Sequence, residues 1–517
     1  MRKEKIISIF VCLLATLSFS SAIPVVNNVL AGGGCGGGGC GGGGCGGGGS
    51  GGGGGIIDPA PGGPFADPVE ATDNDPDPNI VDVDITAQES PININGQTAT
   101  LMTYNGYYPG PTIRIHSGNI LRIHFLNALS YDGTNILGFT RGPTNIHVHG
   151  MRVSPEEPGD AAHIPVNPGQ TRDYEYDTSM VVPGALNFYH NHVHGLTAEQ
   201  YFSGLTGTIL VEDENDLLAN YETHVMMIKD ITIQNGEPEP YSTMMDYMHG
   251  KEGNTIMING QVNPVLGIHK GQVQRWHILN ACNARFMKLS LTSHNMYLIG
   301  TDSGGLLDHP YQVPYLLLAP GERVDVLVKA TQNSGTFKFK ALPYNRMGNM
   351  LSPTITLMTV QYGGSTMNQN IPSSINPDAE RLNIDTSQLV HRTVVLSMGQ
   401  GRGYINGQDF DVDPYMIMSD SCTYEVWTVS VEGMMDHPFH MHVNHAQIIG
   451  YSGGDTGYKN IYLNTPSWKD TILIPKGGTV TLLMNISEIT GMTMFHCHIV
   501  EHEDIGMMGM WHIMGME

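Results

Sequence analysis

From Ile80 onward, apolar and polar residues alternate in short runs punctuated by Gly, Pro and Asn. Thr112-Ile113-Arg114-Ile115-His116 and Ile120-Leu121-Arg122-Ile123-His124-Phe125 are typical. A period of two predicts strands with one buried face, because successive side chains leave a strand on opposite sides. No long stretch carries the 3.6-residue period of a helix, so the expectation is an all-β protein of sandwich or barrel type. The texture recurs in three blocks, which places domains at 80–218, 219–364 and 390–517. A polar, Pro/Ser/Asn-rich connection covers 365–389. A chain of 517 residues has room for three domains of common size.

The first 79 residues follow other patterns. Arg2, Lys3 and Lys5 precede the apolar run Ile6 to Leu17, and Ser20-Ser21-Ala22 offers small residues for cleavage. Residues 1–22 therefore read as an export signal, with the mature protein periplasmic, extracellular or on the cell surface. Residues 23–79 read as a linker. Within it, residues 32 to 55 are almost pure glycine, with Cys35, Cys40 and Cys45 at a repeat of five. Nothing apolar there offsets the entropy of ordering, so a flexible tether is expected. The spaced thiols also suit a soft metal ion or a cross-link. The Asp- and Pro-rich sequence from Asp58 to Pro78 is expected to continue the linker.

Charge narrows the partners. A formal net charge of −24 argues against nucleic acid and anionic membrane surfaces. After the leader no run is long and apolar enough to span a bilayer, so no integral membrane protein is expected. Of the remaining cysteines, Cys282 and Cys422 fall in separate predicted domains, and spacing does not pair them.

The chemistry lies in histidines at a spacing of two. His147-Val148-His149, His190-Asn191-His192, His437-Pro438-Phe439-His440-Met441-His442 and His496-Cys497-His498 are four separate segments of this kind. On a strand, His496 and His498 point one way and Cys497 the other, so one segment can serve two metal sites. Cys497, His502 and Met507 offer a thiolate, an imidazole and a thioether; a further histidine completes the set of a blue-copper electron-transfer site. Imidazole, thiolate and thioether together form a set softer than Mg or Ca accepts.

On these segments the chain resembles three-domain multicopper oxidases of the laccase and bacterial copper-efflux-oxidase type, over roughly residues 80 to 517. Tyr104-Asn105-Gly106 with Pro109-Gly110-Pro111, Arg275-Trp276-His277-Ile278-Leu279-Asn280-Ala281 and Ala319-Pro320-Gly321-Glu322-Arg323 add to the likeness. The resemblance implies three cupredoxin-like Greek-key β-sandwiches and four copper ions. His437, Cys497 and His502, with Met507 axial, match the type 1 ligands. His147 and His440 match type 2; His149, His190, His192, His442, His496 and His498 match the type 3 pair. His194 extends the second segment and is the alternative there. The middle domain has no such pair, so a spacer role is expected.

The implied activity is oxidation of a small reducing substrate at type 1 copper, coupled to reduction of dioxygen to water at the trinuclear cluster. Glu503 is the expected proton donor, and Asp160 a second relay acid or an anchor for a ligating imidazole. A laccase-like enzyme acting on phenolic or similar one-electron donors is expected, because an exposed His437 or His502 edge admits many reductants. The alternative is oxidation of Cu(I), Fe(II) or Mn(II), for which Asp436, Met434 and Met435 beside His437 could hold an ion. Most of the 30 methionines, among them Met244, Met245, Met248, Met347 and Met350, read as core filling. A copper-storage or relay protein needs fewer histidines, and a copper nitrite reductase lacks the type 3 pair.

Overall fold

In the computed structural model, residues 55–517 are described, apart from 131–132, 214–216, 349 and 516–517. The export leader and the Gly/Cys tract up to residue 54 lie outside the described residues. The alternation becomes strand faces as expected. In Ile120–Asn127, Leu121, Ile123 and Phe125 are buried, while His124 turns out to Asp82 and Asp173.

The larger sheets contribute in pairs to three hydrophobic cores. One strand pattern occurs three times. Ile80–Ile94 pairs antiparallel with Gln97–Tyr104 and parallel with Ile120–Asn127. Glu222–Ile231 does the same with Thr255–Ile258 and Val273–Asn280. Val390–Gly399 repeats it with Arg402–Ile405 and Tyr424–Glu432. In the first copy the hairpin turns at Asn95 and Gly96, both at positive φ, as a two-residue turn matched to strand twist requires.

The segment from Ile56 to Glu70 departs from the expected flexible linker. Ile56–Ile57 adds a parallel strand to Thr354–Tyr362 of the middle sandwich. The Asp67 carboxylate accepts from Val225 N at 2.7 Å and lies 3.0 Å from His224 Nδ1. Glu70 bridges to Thr112 of the first sandwich. An extended, Pro-rich chain cannot build a core, yet its free backbone groups can dock along another sheet; composition alone does not reveal that acceptor.

Two sheets carry the histidine segments. In the first domain His147–His149 lies antiparallel to Leu186–His190, with His147 opposite His190. In the third, His437–Met441 lies between Gly491–Cys497 and Thr471–Ile474, with Phe439 opposite Cys497 and His440 opposite His496. Beyond Cys497 the chain forms the short helix Val500–Asp504 rather than a plain loop. That turn buries Val500 and Ile505 and brings His502 back beside Cys497.

Candidate metal centre

Strand alternation puts Cys497 into the third-domain core with Phe439, and there it meets two imidazoles. His437 Nδ1 is 3.4 Å from Cys497 Sγ, His502 Nδ1 is 3.5 Å from it, and the two nitrogens are 3.1 Å apart. The centre of such a triangle is about 2 Å from each atom, the length of a metal–ligand bond. Ile499 N donates to Cys497 Sγ at 3.4 Å, a contact that the motif does not announce. Met507 is buried, and its backbone is hydrogen-bonded to Cys497 N and to His502 O. Burial pushes the Cys497 thiol up, whereas a bound metal deprotonates a coordinating thiol outright. Burial, with Arg346 nearby, lowers His437 to about 3, so its imidazole is neutral and free to act as a ligand.

On the other side of the same strand eight histidines gather. His192 Nε2 and His442 Nε2 lie 3.2 and 3.1 Å from His496 Nε2. The His149 and His440 rings stack at 3.6 Å and those of His147 and His442 at 4.0 Å. His147 Nε2, His149 Nδ1, His190 Nε2, His440 Nε2 and both nitrogens of His498 are buried without a hydrogen-bond partner among the described residues. Buried polar atoms are normally satisfied, so this many orphans in one place marks where ions belong. For several of them the opposite nitrogen is engaged: His147 Nδ1 by Asp160 at 2.7 Å, His190 Nδ1 by Asn191 O at 2.8 Å and His440 Nδ1 by Asp470 O at 3.0 Å. Such bonds fix ring orientation and leave the free nitrogen for a metal. Burial first, then neighbouring imidazoles, hold His190, His192, His442, His496 and His498 well below the ordinary imidazole range. The rings are neutral and their lone pairs available. The donor set fits copper.

The remaining expected residues divide. Asp160 also accepts from Val148 N at 3.0 Å, so it braces the His147 strand. Glu503 stands behind two imidazoles, 3.6 Å from His192 Nδ1 and 3.4 Å from His496 Nδ1, and accepts from Thr197 Oγ1 at 3.1 Å. Burial, and then the charge of Asp504, raise it well above the usual carboxylate range. Asp504 accepts from Gly195 N, Thr197 N and Ala198 N, where the helix Thr197–Ser203 begins. His194 turns to Asp411 at 2.7 Å and does not join the histidine groups.

Two expectations at the rim are corrected. His437 is 2% exposed and His502 is fully buried, so neither presents an edge. Asp436 is no open carboxylate: it is buried, accepting from Tyr344 OH at 2.6 Å and Lys476 N at 2.8 Å. The cover instead carries methionines. Helix Met244–His249 packs on helix Val500–Asp504. The Met347 segment bridges to Met350 and to Met435. Arg346 joins them, donating to His249 O at 2.8 Å and lying 3.5 Å from Met435 Sδ. Met245, Met350 and Met434 are 54%, 71% and 71% exposed, which rules out core filling for these three.

Family models described as multicopper oxidase match residues 86–216, 189–365 and 377–514. The multicopper oxidase mco of Staphylococcus aureus is 26% identical over 422 residues, 80% of this chain and 84% of that protein. The cell division protein FtsP of Xenorhabdus nematophila is 27% identical over 444 residues, 82% of this chain and 88% of that protein. A solved structure titled as a multicopper oxidase from Campylobacter jejuni, a metallo-oxidase, superposes with a TM-score of 0.75 at 25% identity. It covers 90% of this chain and 98% of that one. With family matches running through all three sandwiches, the chain belongs to the multicopper oxidase family and is an oxidoreductase.

Proposed function

We propose that the protein is an exported oxidase that passes electrons from a soft metal ion, Cu(I), to dioxygen. His437, Cys497 and His502, with Met507 as a further ligand, would hold a type 1 copper. His147 and His440 are assigned to type 2, and His149, His190, His192, His442, His496 and His498 to the type 3 pair. Bound copper supplies one-electron transfer at the first site and reduction of dioxygen to two waters, with four electrons and four protons, at the second. The chain supplies the route: Cys497 is joined by single peptide links to His496 and His498, so the electron path is covalent. Glu503, whose carboxyl burial raises well above the usual range, is assigned the delivery of protons beside His192 and His496.

What supports the choice of reductant is that His437 and His502 are buried while Met245, Met350 and Met434, on segments that pack beside them, are exposed. Outer-sphere oxidation of phenols works best with an accessible imidazole edge, whereas thioethers select Cu(I). Met245, Met350 and Met434 are assigned to capture of the ion. Replacing all three by Leu preserves volume and removes sulfur. In oxygen uptake with Cu(I), Fe(II), Mn(II) and a phenol, the triple variant is expected to lose about tenfold in Cu(I) kcat/KM. Its phenol rate should stay unchanged. Unaltered Cu(I) turnover rejects the reading. A cavity of about 280 Å³ lined by Phe286, Tyr344, Arg346, Met347 and Leu351 supports phenol oxidation as the second reading. Phenol turnover far above Cu(I) turnover in the wild type would establish it.

Gly403 bears on the place of Met507. A Cβ there would lie 2.7 Å from Met507 Cβ and 2.9 Å from Met507 N. Gly403→Ala is expected to displace Met507, shift the visible spectrum of the copper-loaded protein and cost about 1–3 kcal/mol in denaturant unfolding. A variant that is destabilised with an unchanged spectrum removes Met507 from the ligand set.

A further inference from the structure

The middle sandwich carries none of the proposed ligands, yet one of its side chains reaches the histidine cluster. Arg323, on the strand Arg323–Lys329, is buried. Its Nη1 and Nη2 each donate to an Asp470 oxygen at 2.7 Å, and Nε donates to Leu186 O of the first domain at 3.0 Å. One guanidinium thus links all three sandwiches.

Asp470 is where this link meets the cluster. Its Oδ1 lies 3.2 Å from His149 Nε2, and its backbone O lies 3.0 Å from His440 Nδ1. The neighbouring Thr471 Oγ1 is 3.0 Å from the same nitrogen of His149 and 3.2 Å from that of His440. The two stacked rings are therefore held by opposite nitrogens. What remains free is Nδ1 on His149 and Nε2 on His440, the two orphaned atoms. Gly150, directly after His149, fits against this link: a Cβ there would collide with Ser303 Oγ and Arg323 Nη2.

A buried carboxylate facing two imidazoles needs a counter-charge to remain ionised and in place. A bidentate guanidinium supplies both charge and direction, which a lysine ammonium does not. Lys469, 2.9 Å from both Asp302 and Glu322, balances the neighbouring acids.

We infer that Arg323 and Asp470 are positioning residues: through them the ligand-free middle domain sets which ring nitrogen His149 and His440 present to copper. The inference rests on the ligand assignment proposed above. It is tested in the full-length protein with Asp470→Asn and Arg323→Lys. Glu322→Gln serves as control, since Glu322 belongs to the same buried network and its carboxylate meets Ala319 N, Tyr458 OH and Lys469, none of them a proposed ligand. The readouts are copper bound per chain, the type 2 signal in electron paramagnetic resonance, the near-ultraviolet absorption of the type 3 pair, and the blue band as internal reference.

Asp470→Asn is expected to keep the blue band while cluster copper affinity falls about 10–100-fold and the type 2 signal changes. Arg323→Lys should move the same signals by less. Glu322→Gln should leave the cluster spectra unchanged, whatever it does to thermal stability. Wild-type spectra and affinity in Asp470→Asn and Arg323→Lys overturn the inference, as does an identical change in all three. If Asp470→Asn fails to fold, Arg323→Lys against Glu322→Gln decides. A wild type that binds no copper at these histidines defeats the ligand assignment instead, so the two failures are told apart.

Discussion

Cys497→Ser is expected to abolish the blue colour of the copper-loaded protein and to bring dioxygen-coupled turnover down to background. The thiolate is the soft member of the His437–Cys497–His502 triangle and the donor in the charge-transfer absorption. It is also the only one of the three joined by single peptide links to two cluster histidines. A serine hydroxyl stays protonated and neither binds copper comparably nor carries the electron. The trinuclear site should survive, because His496 and His498 leave the strand on the opposite face, and their ring nitrogens are not bonded to Sγ. Absorption spectroscopy with copper analysis checks this: loss of one copper per chain and of the visible band, with the type 2 signal retained. Intense blue absorption in the variant would sink the type 1 assignment.

Glu503→Gln is expected to slow dioxygen reduction about 10–100-fold, while reduction of the type 1 copper remains normal. The side chain is nearly isosteric and keeps a hydrogen-bonding oxygen toward Thr197, so the cluster should hold its shape. Burial, reinforced by Asp504, raises Glu503 well above the usual carboxylate range, and Asp504 itself is lifted to about 7 by burial. The sign of the pH effect follows. In acid, bulk protons serve both proteins, and the gap between wild type and variant is small. As pH rises, the wild type still has a protonated donor at the cluster, whereas the variant depends on scarcer bulk protons, so the gap widens. It stops widening once Glu503 titrates. Stopped-flow reoxidation of the fully reduced enzyme across pH, with copper content measured in parallel, tests this. An unchanged rate per copper together with lost copper means that Glu503 only orients His192 and His496.

Much of the site was readable before any coordinates. Alternation along single strands is local, so His496-Cys497-His498 already implied two sites back to back, and the repeated His-x-His spacing implied where the second site's ligands come from. The family likeness then sorted residues into copper types; the structure gathers His437, Cys497 and His502 in one group and the eight other histidines of that sorting in a second. The strand texture likewise foretold a β-rich chain in three blocks, because a period of two depends only on backbone geometry and on one face being buried; the resemblance made the blocks sandwiches.

Tertiary structure decided what depends on contacts between distant segments. An exposed His437 edge was expected because nothing in the motif shows what packs over it; Arg346, from the middle domain, packs there through Asp436 N and Met435, and the helix Met244–His249 packs on the helix that carries His502. Asp436 read as an available carboxylate until Tyr344, far along the chain, took its oxygen. Met245, Met350 and Met434 read as core filling or as scattered residues until the fold left them exposed, and Asp58 to Pro78 looked like a tether although part of it lies along the sandwiches. Arg323 stood in a motif of a domain expected to be a spacer, and only its fork on Asp470 ties it to the cluster. Strand periodicity is written residue by residue, whereas burial, hydrogen-bond partners and convergence belong to surfaces that exist only once the three sandwiches are packed.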